Sequence, residues 1–145
     1  MTSPTDLVAA FADKSRRNAA IVALVGAIDA NELRRVRVSD EAKAALIAGL
    51  DHPNAKVRWW CLQLMDHLAD ESYRGPILRK LSDPVAKVRR HAIHALTCAP
   101  CKPRRARLAV RVEDALRAAL ADPDAKVRGE AQHALDALAG YAATR

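Results

Sequence analysis

Aromatic residues are scarce in this chain of 145 residues, which has two Trp, two Tyr and one Phe. Long apolar runs are missing too. The longest candidate, Ala19 to Ile28, is far shorter than the roughly 18 residues of a membrane span. The N-terminus shows no basic leader before an apolar run, so we expect no signal peptide and a cytoplasmic location. Ala and Leu dominate the apolar half of the composition, which is typical of an all-helical protein.

Motifs that would indicate an enzyme are also missing. The sequence contains no glycine-rich phosphate loop, no recognisable pair of nucleophile and base, and no zinc-protease motif. We therefore expect a non-enzymatic protein. The formal net charge of +7 favours an acidic partner.

A short unit, in contrast, occurs three times. It reads HPNAKVRWWCLQLM from His52, DPVAKVRRHAIHAL from Asp83 and DPDAKVRGEAQHAL from Asp122, so it recurs after 31 and then 39 residues. Self-similarity at this period predicts stacked helix pairs, because one pair cannot bury its own apolar face.

Each unit repeats the same apolar helix face. In the middle copy, Val88, Ala92, Ala95 and Leu96 fall within a stripe of about 100° around a helix. The equivalent positions in the other two copies are Val57, Cys61, Leu64, Met65, Val127, Ala131, Ala134 and Leu135. Because small residues recur at two of these steps, we expect neighbouring helices to approach closely there.

These units resemble the HEAT repeat, whose second helix carries a similar Asp-x-x-x-x-Val-Arg-x-x-Ala-x-x-Ala-Leu pattern. The first copy departs from it at Cys61, which stands in an alanine position. The resemblance covers roughly residues 40–140 and implies an all-α, HEAT-like α-solenoid of about four antiparallel helix pairs. It also implies that the repeated Arg58, Arg89 and Arg128 are structural and pair with the Asp of a repeat turn, here Asp51, Asp83 and Asp122.

We expect a single domain over residues 1–145. Residues 1–38 form a degenerate N-terminal capping pair and a basic connector, and 39–70, 71–99 and 110–140 form regular pairs. Thr5 is expected to cap the first helix, and Gly140 to end the last. Residues 100–109 are an inserted basic loop, which is either functional or a solvated linker. Its cations are Lys102, Arg104, Arg105 and Arg107.

A cluster of soft and borderline metal ligands precedes this loop. His94, Cys98 and Cys101 are spaced like the ligands of zinc-binding anti-sigma proteins, and the first two share a helix face. The expected fourth ligand of a structural zinc ion is His133, which is equivalent to His94 in the next unit, or a solvent molecule. The alternative is that these are ordinary surface residues. Cys98 and Cys101 also resemble a thioredoxin-like pair, but Cys98 closes a helix, where the dipole opposes a thiolate.

Two adjacent tryptophans, Trp59 and Trp60, lie off the apolar stripe. The HEAT resemblance implies that the second helices line a concave surface, where exposed aromatic residues favour partner binding. The alternative is that Trp60 packs against a neighbouring helix. The other candidate partner-binding residues are Gln63, His67, Arg90, His94 and Glu130.

The sequence thus favours an interaction module that binds a protein or peptide through its concave face. Two alternatives remain open. The basic charge and the tryptophans are similar to those of HEAT-like nucleic-acid-binding proteins, including alkylpurine DNA glycosylases. HEAT-like bilin lyases are the other enzyme class with this fold, although no residue here indicates their chemistry. The oligomeric state is not predicted.

Overall fold

The computed structural model describes residues 2–68, 70–98 and 110–143, and these ranges contain helices and no strand. The helices are α1 (Pro4–Ala9), α2 (Arg17–Val25), α3 (Ala30–Leu33), α4 (Asp40–Gly49), α5 (Ala55–Leu68), α6 (Arg74–Arg79), α7 (Ala86–Thr97), α8 (Val110–Ala119) and α9 (Ala125–Ala143). Turns of 3₁₀ helix at Ala10–Ala12, Glu71–Tyr73 and Lys80–Ser82 extend α1 and flank α6.

The helices form four pairs: α1 with α2, α4 with α5, α6 with α7, and α8 with α9. The second helices α5, α7 and α9 pack side by side, and α1 packs against α4. The predicted all-α solenoid of about four antiparallel pairs is therefore confirmed. The short helix α3 bridges the first two pairs and contacts α5.

Helix ends differ from the sequence predictions at three places. Ser3, not Thr5, caps α1, because its Oγ accepts a hydrogen bond from the backbone N–H of Asp6 at 3.2 Å. The expected connector begins as helix α3, which Asp29 caps through the N–H groups two and three residues on. Gly140 lies inside α9, which continues to Ala143. The Ala-rich sequence around that glycine offsets its helix cost of about 1 kcal/mol.

The predicted apolar stripes form the core. Val88, Ala92 and Ala95 on α7 are fully buried, as are their equivalents on α5 and most of those on α9. Leu62 and Ile93 are equally buried although they lie off the stripe, because α5 and α7 also have neighbours on their sides. Cys61 is a buried free thiol, as expected, and burial raises its pKa well above the ordinary value.

A ladder of arginine–aspartate pairs joins successive repeats. Arg58 Nε and Nη2 donate to the two carboxylate oxygens of Asp83 at 2.8 and 3.1 Å. Arg89 donates in the same way to Asp122, at 2.8 and 3.0 Å. Each arginine therefore reaches the turn of the following repeat. Asp51, which was also expected to pair with an arginine, instead accepts from Lys80 Nζ at 3.1 Å. The predicted pairing of Arg58 and Arg89 with a turn Asp is confirmed. Arg128 donates instead to the backbone carbonyls of Asp122 and Pro123, at 2.7 and 3.0 Å.

Candidate partner-binding groove

A groove runs along the surface formed by α5 and α7. Its larger hollow has a volume of about 460 Å³ and its smaller hollow one of about 230 Å³. Both hollows are lined by Trp59 and Lys87, so they adjoin each other, and we call them together the α5–α7 groove. The other lining residues are Arg17, Ala55, Lys56, Trp60, Val85 and Val88 in the larger hollow and Arg90, His91, His94 and Glu130 in the smaller one.

Trp59 stands where the two hollows meet and is fixed by its neighbours. Its ring stacks on that of His91, with centroids 4.4 Å apart and planes at 19°. Lys87 Nζ lies 5.7 Å from the Trp59 ring centroid, within the range of a cation–π contact. Trp60 packs edge-on against Trp59 at 5.0 Å. The side chain of Trp59 is therefore rigid, half-buried and already oriented.

Trp60 is held by a residue from the N-terminal pair. The guanidinium carbon of Arg17 lies 4.5 Å from the Trp60 ring centroid, and Arg17 Nε donates to the backbone carbonyl of Phe11 at 2.7 Å. Both tryptophans also pack against the core. The outcome lies between the two predictions, because each ring is half-buried by the fold and still lines the groove.

The charges along the groove are unevenly distributed. Arg17, Lys56 and Lys87 line the larger hollow, and no acidic residue of the described ranges does so. In the smaller hollow, Glu130 lies 3.7 Å from Arg90 Nε and 3.4 Å from His94 Nδ1. The larger hollow is thus cationic and partly apolar, while the smaller one contains its own counter-charge.

The structure brings most of the predicted partner-binding residues together. Trp59, Trp60, Arg90, His94 and Glu130 line the groove. Gln63 and His67 do not line it, and instead contact each other on α5 at 3.3 Å between Nε2 atoms.

Sequence reasoning missed Arg17, Lys56 and Lys87. Arg17 aligns with the ladder residue Arg89, and this alignment was the signal that could have drawn attention to it.

His94 is the centre of a second arrangement, at the end of the smaller hollow. Its Nε2 lies 3.4 Å from Oδ2 of Asp66, a buried carboxylate on α5. Asp66, His94 and Cys98 each offer one atom that could bind a metal, and these three atoms lie within 4.8 Å of one another. The hydrogen bond with Asp66 is the largest influence on the pKa of His94 and raises it, against the opposing effect of burial.

This arrangement contains two of the predicted metal ligands. His94 and Cys98 lie together, and beside them is Asp66, which sequence reasoning missed. The exposed His133 is outside the group. Equivalent positions on parallel stacked helices point in the same direction and so do not face each other. Cys101 lies outside the described residues, as do Lys102, Arg104, Arg105 and Arg107 of the predicted basic loop.

Comparison with known families agrees with the repeat geometry. A family model for HEAT repeats matches residues 43–136, which is more than half of the chain. The chain belongs to the HEAT-repeat family. HEAT repeats commonly mediate interactions between proteins, and they are generally non-enzymatic scaffolds. No curated protein matches this HEAT-repeat chain.

Two solved structures with a similar fold are an engineered protein and a designed repeat protein. An engineered protein from the Northeast Structural Genomics Consortium has a TM-score of 0.63 and 18% identity over 96% of this chain. A designed armadillo repeat protein has a TM-score of 0.57 and 20% identity over 92% of it. The HEAT-repeat chain spans 63% of the length of each. At these identities the likeness concerns the fold alone.

Among the helices described, none combines the length and the apolar character required to cross a bilayer.

Proposed function

We propose that this HEAT-repeat protein is a non-enzymatic adaptor that binds an acidic segment of a protein partner in the α5–α7 groove. The observation that carries the proposal is the larger hollow, where Trp59 and Trp60 are surrounded by Arg17, Lys56 and Lys87. An apolar side chain of the partner would occupy this hollow, and carboxylates beside it would meet the three cations.

The rigidity of the tryptophans supports a binding role. Hot spots in protein interfaces are enriched in Trp and Arg that fill well-packed, desolvated pockets. Because contacts with His91 and Arg17 already hold the rings, ordering them on binding costs little conformational entropy. The surrounding cations would steer an acidic segment toward the groove and would act mainly on the association rate.

Nucleic acid is the competing class of partner, and the groove suits it less well. Proteins that bind single strands stack bases on the open faces of aromatic rings. Here a face of Trp59 is stacked on His91, and a face of Trp60 carries Arg17. The smaller hollow also presents Glu130, whose carboxylate would repel a phosphate. A protein segment is therefore the occupant that we propose.

Selection from a displayed library of random peptides tests the proposal. Wild-type protein should enrich peptides that place an aromatic or aliphatic residue next to Asp or Glu. Lys87→Glu should bind the selected peptides more weakly, because it reverses a charge that both hollows share. Lys126→Glu is the matched control: it changes the equivalent helix position on α9, where Lys126 does not line the groove.

Nucleic acid forms the second arm of the same experiment. Single-stranded and duplex DNA and duplex RNA are titrated at several salt concentrations. Binding to any of these with a steep salt dependence through counterion release, together with no peptide enrichment, would overturn the proposal.

A further inference from the structure

We propose that Asp66, His94 and Cys98 form a zinc-binding site between α5 and α7. Asp66 comes from the last turns of α5, His94 from the last turn of α7, and Cys98 follows α7 directly. Their oxygen, nitrogen and sulfur atoms lie within 4.8 Å of one another. A carboxylate, an imidazole and a thiolate are all ligands that zinc accepts in proteins.

The spacing of the Asp66 and His94 ligand atoms fits a tetrahedral ion. Zinc binds nitrogen and carboxylate oxygen at about 2.0–2.2 Å, which places two tetrahedral ligands about 3.4 Å apart. The observed distance between Asp66 Oδ2 and His94 Nε2 is 3.4 Å. The Zn–S bond is longer, about 2.3 Å, so a bound sulfur would lie about 3.6 Å from the other two ligand atoms.

Glu130 supplies the support that a metal-binding histidine needs. Its Oε1 lies 3.4 Å from Nδ1 of His94, on the side of the ring opposite Asp66. Metal-binding histidines almost always donate their second ring N–H to a carboxylate, a carbonyl or water, which fixes the tautomer and the ring orientation. With Nδ1–H donated to Glu130, the lone pair of Nε2 points to the space shared with Asp66 and Cys98.

The carboxylates of the cluster would interact favourably with a bound cation. The Asp66 side chain is only 2% exposed, and Glu130 is a second carboxylate beside the same imidazole. A Cys98 thiolate at the C-terminal end of α7 would be opposed by the helix dipole. A divalent ion offsets the thiolate and the buried carboxylate together.

The site is accessible and incomplete on one side. The His94 side chain is 43% exposed and Cys98 is half-buried, so an ion can enter from solvent. Three protein ligands leave the fourth tetrahedral position to water. Bound zinc would tie the end of α5 to the end of α7, at the edge of the smaller hollow.

The test uses the full chain, purified without a histidine tag and stripped with a chelator. Titration with zinc by calorimetry should give about one ion per chain. Cobalt should produce the near-ultraviolet absorption of a thiolate bound to the metal. We expect Cys98→Ser and Asp66→Asn each to weaken zinc binding at least about 100-fold. Cys98→Ser should also abolish the thiolate absorption of the cobalt form. Glu130→Gln should weaken it about 10- to 100-fold, as for other supporting carboxylates.

Two matched controls make the result specific. Cys61→Ala removes the other described cysteine and introduces the alanine found in the other two repeats, so zinc binding should persist. His133→Gln changes the histidine equivalent to His94, and binding should persist there too. Loss of binding in His133→Gln, or unchanged binding in Asp66→Asn, would overturn the proposal. Circular dichroism checks that each variant is folded. If Asp66→Asn does not fold, the result for Cys98→Ser decides the test.

Discussion

Gly49 and Cys61 bring the first regular helix pair into close contact. A Cβ atom built on Gly49 at the end of α4 would lie 2.5 Å from Cys61 Sγ on α5 and 2.7 Å from Val8 Cγ1 on α1. Real Cβ atoms essentially never approach other atoms so closely. The helices α1, α4 and α5 therefore meet so closely at Gly49 that no space remains there for a side chain.

Gly49→Ala is therefore expected to destabilise the protein. Helix propensity alone would favour Ala, but overpacking of a well-packed site costs about 1–3 kcal/mol. Because the nearest atom is Cys61 Sγ, adding Cys61→Ala should recover part of the loss. Denaturant unfolding of the two single variants and the double variant measures this coupling.

The matched control for this prediction is Gly129→Ala on α9. A Cβ at Gly129 meets nothing within 4 Å, so Ala should stabilise the protein by about 0.5–1 kcal/mol. If Gly49→Ala proved as stable as Gly129→Ala, the close approach of α4 and α5 would be wrong.

Removing a carboxylate of the arginine–aspartate ladder should lower the free energy of unfolding more than removing a carboxylate of an exposed ion pair. In Asp83→Ala, Arg58 remains buried without its partner, because its side chain is 9% exposed and that of Asp83 is 1% exposed. Breaking a buried pair in this way costs about 3–5 kcal/mol. The N–H of Val85 also loses its acceptor, Asp83 Oδ1. Unfolding in denaturant at neutral pH provides the measurement.

An exposed pair on α8 provides the comparison. Glu113 and Arg117 are joined at 2.7 Å, but their side chains are 53% and 63% exposed. Glu113→Gln should change the free energy of unfolding by less than about 0.5 kcal/mol. Equal effects of the two substitutions would mean that the ladder is a surface feature.

The core and the ladder could be predicted from the sequence because both repeat with the chain. Each copy of the unit carries its apolar residues and its Arg at the same steps, so any one copy tests the assignment of the others. Asp83 and Asp122 occur at the start of the units, and the structure adds only that each pairs with the Arg of the preceding unit.

The groove and the His94 cluster could not be predicted in the same way. Arg17 reaches Trp60 through the packing of the N-terminal pair, where the repeat pattern is degenerate. Asp66 and His94 occupy different steps of their units, so aligning the copies cannot bring them together. Their contact depends on the sideways register between α5 and α7, which no periodicity within one helix encodes.

Acid should remove the stabilisation that the ionised Asp70 side chain gives to the folded state. Hydrogen bonds from Lys43, first, and from Ser72 lower the pKa of Asp70 to about 2, against an unfolded value near 3.9. A carboxyl with a depressed pKa stabilises the folded state above about pH 4, and this stabilisation is lost as the pH falls toward 2. Asp70→Asn should lower the free energy of unfolding by about 1 kcal/mol at pH 7, and no more because the pair with Lys43 is partly exposed. At pH 2 the substitution should cost almost nothing, because protonation has then removed most of the stabilisation by Asp70. Denaturant unfolding at the two pH values measures the loss of stability in each case. An equal loss at pH 7 and pH 2 would contradict the prediction.

Overpacking the repeated alanines should also destabilise. Ala92 and Ala131 are fully buried where α7 and α9 pack together, so substitution by Leu should cost about 1–3 kcal/mol. Arg90→Ala is the comparison on α7, because its side chain is 51% exposed and lies 3.7 Å from Glu130; its effect should stay below about 0.5 kcal/mol. Denaturation midpoints in the reverse order would mean that the assigned core face is wrong.

Trp59→Ala and Trp60→Ala should each weaken binding of a peptide selected on the wild-type protein by about 2 kcal/mol or more, because each deletes a rigid aromatic wall of the larger hollow. Isothermal titration at 25 °C measures the loss, and a thermal melt establishes that each variant is folded at that temperature. Gln63→Ala is the control on the same helix, since Gln63 contacts His67 and does not line either hollow. Arg17→Ala should fall between them, because it removes a cation from the hollow and also uncovers a face of Trp60. If Gln63→Ala weakened binding as much as the tryptophan variants did, the partner would lie along another face of α5.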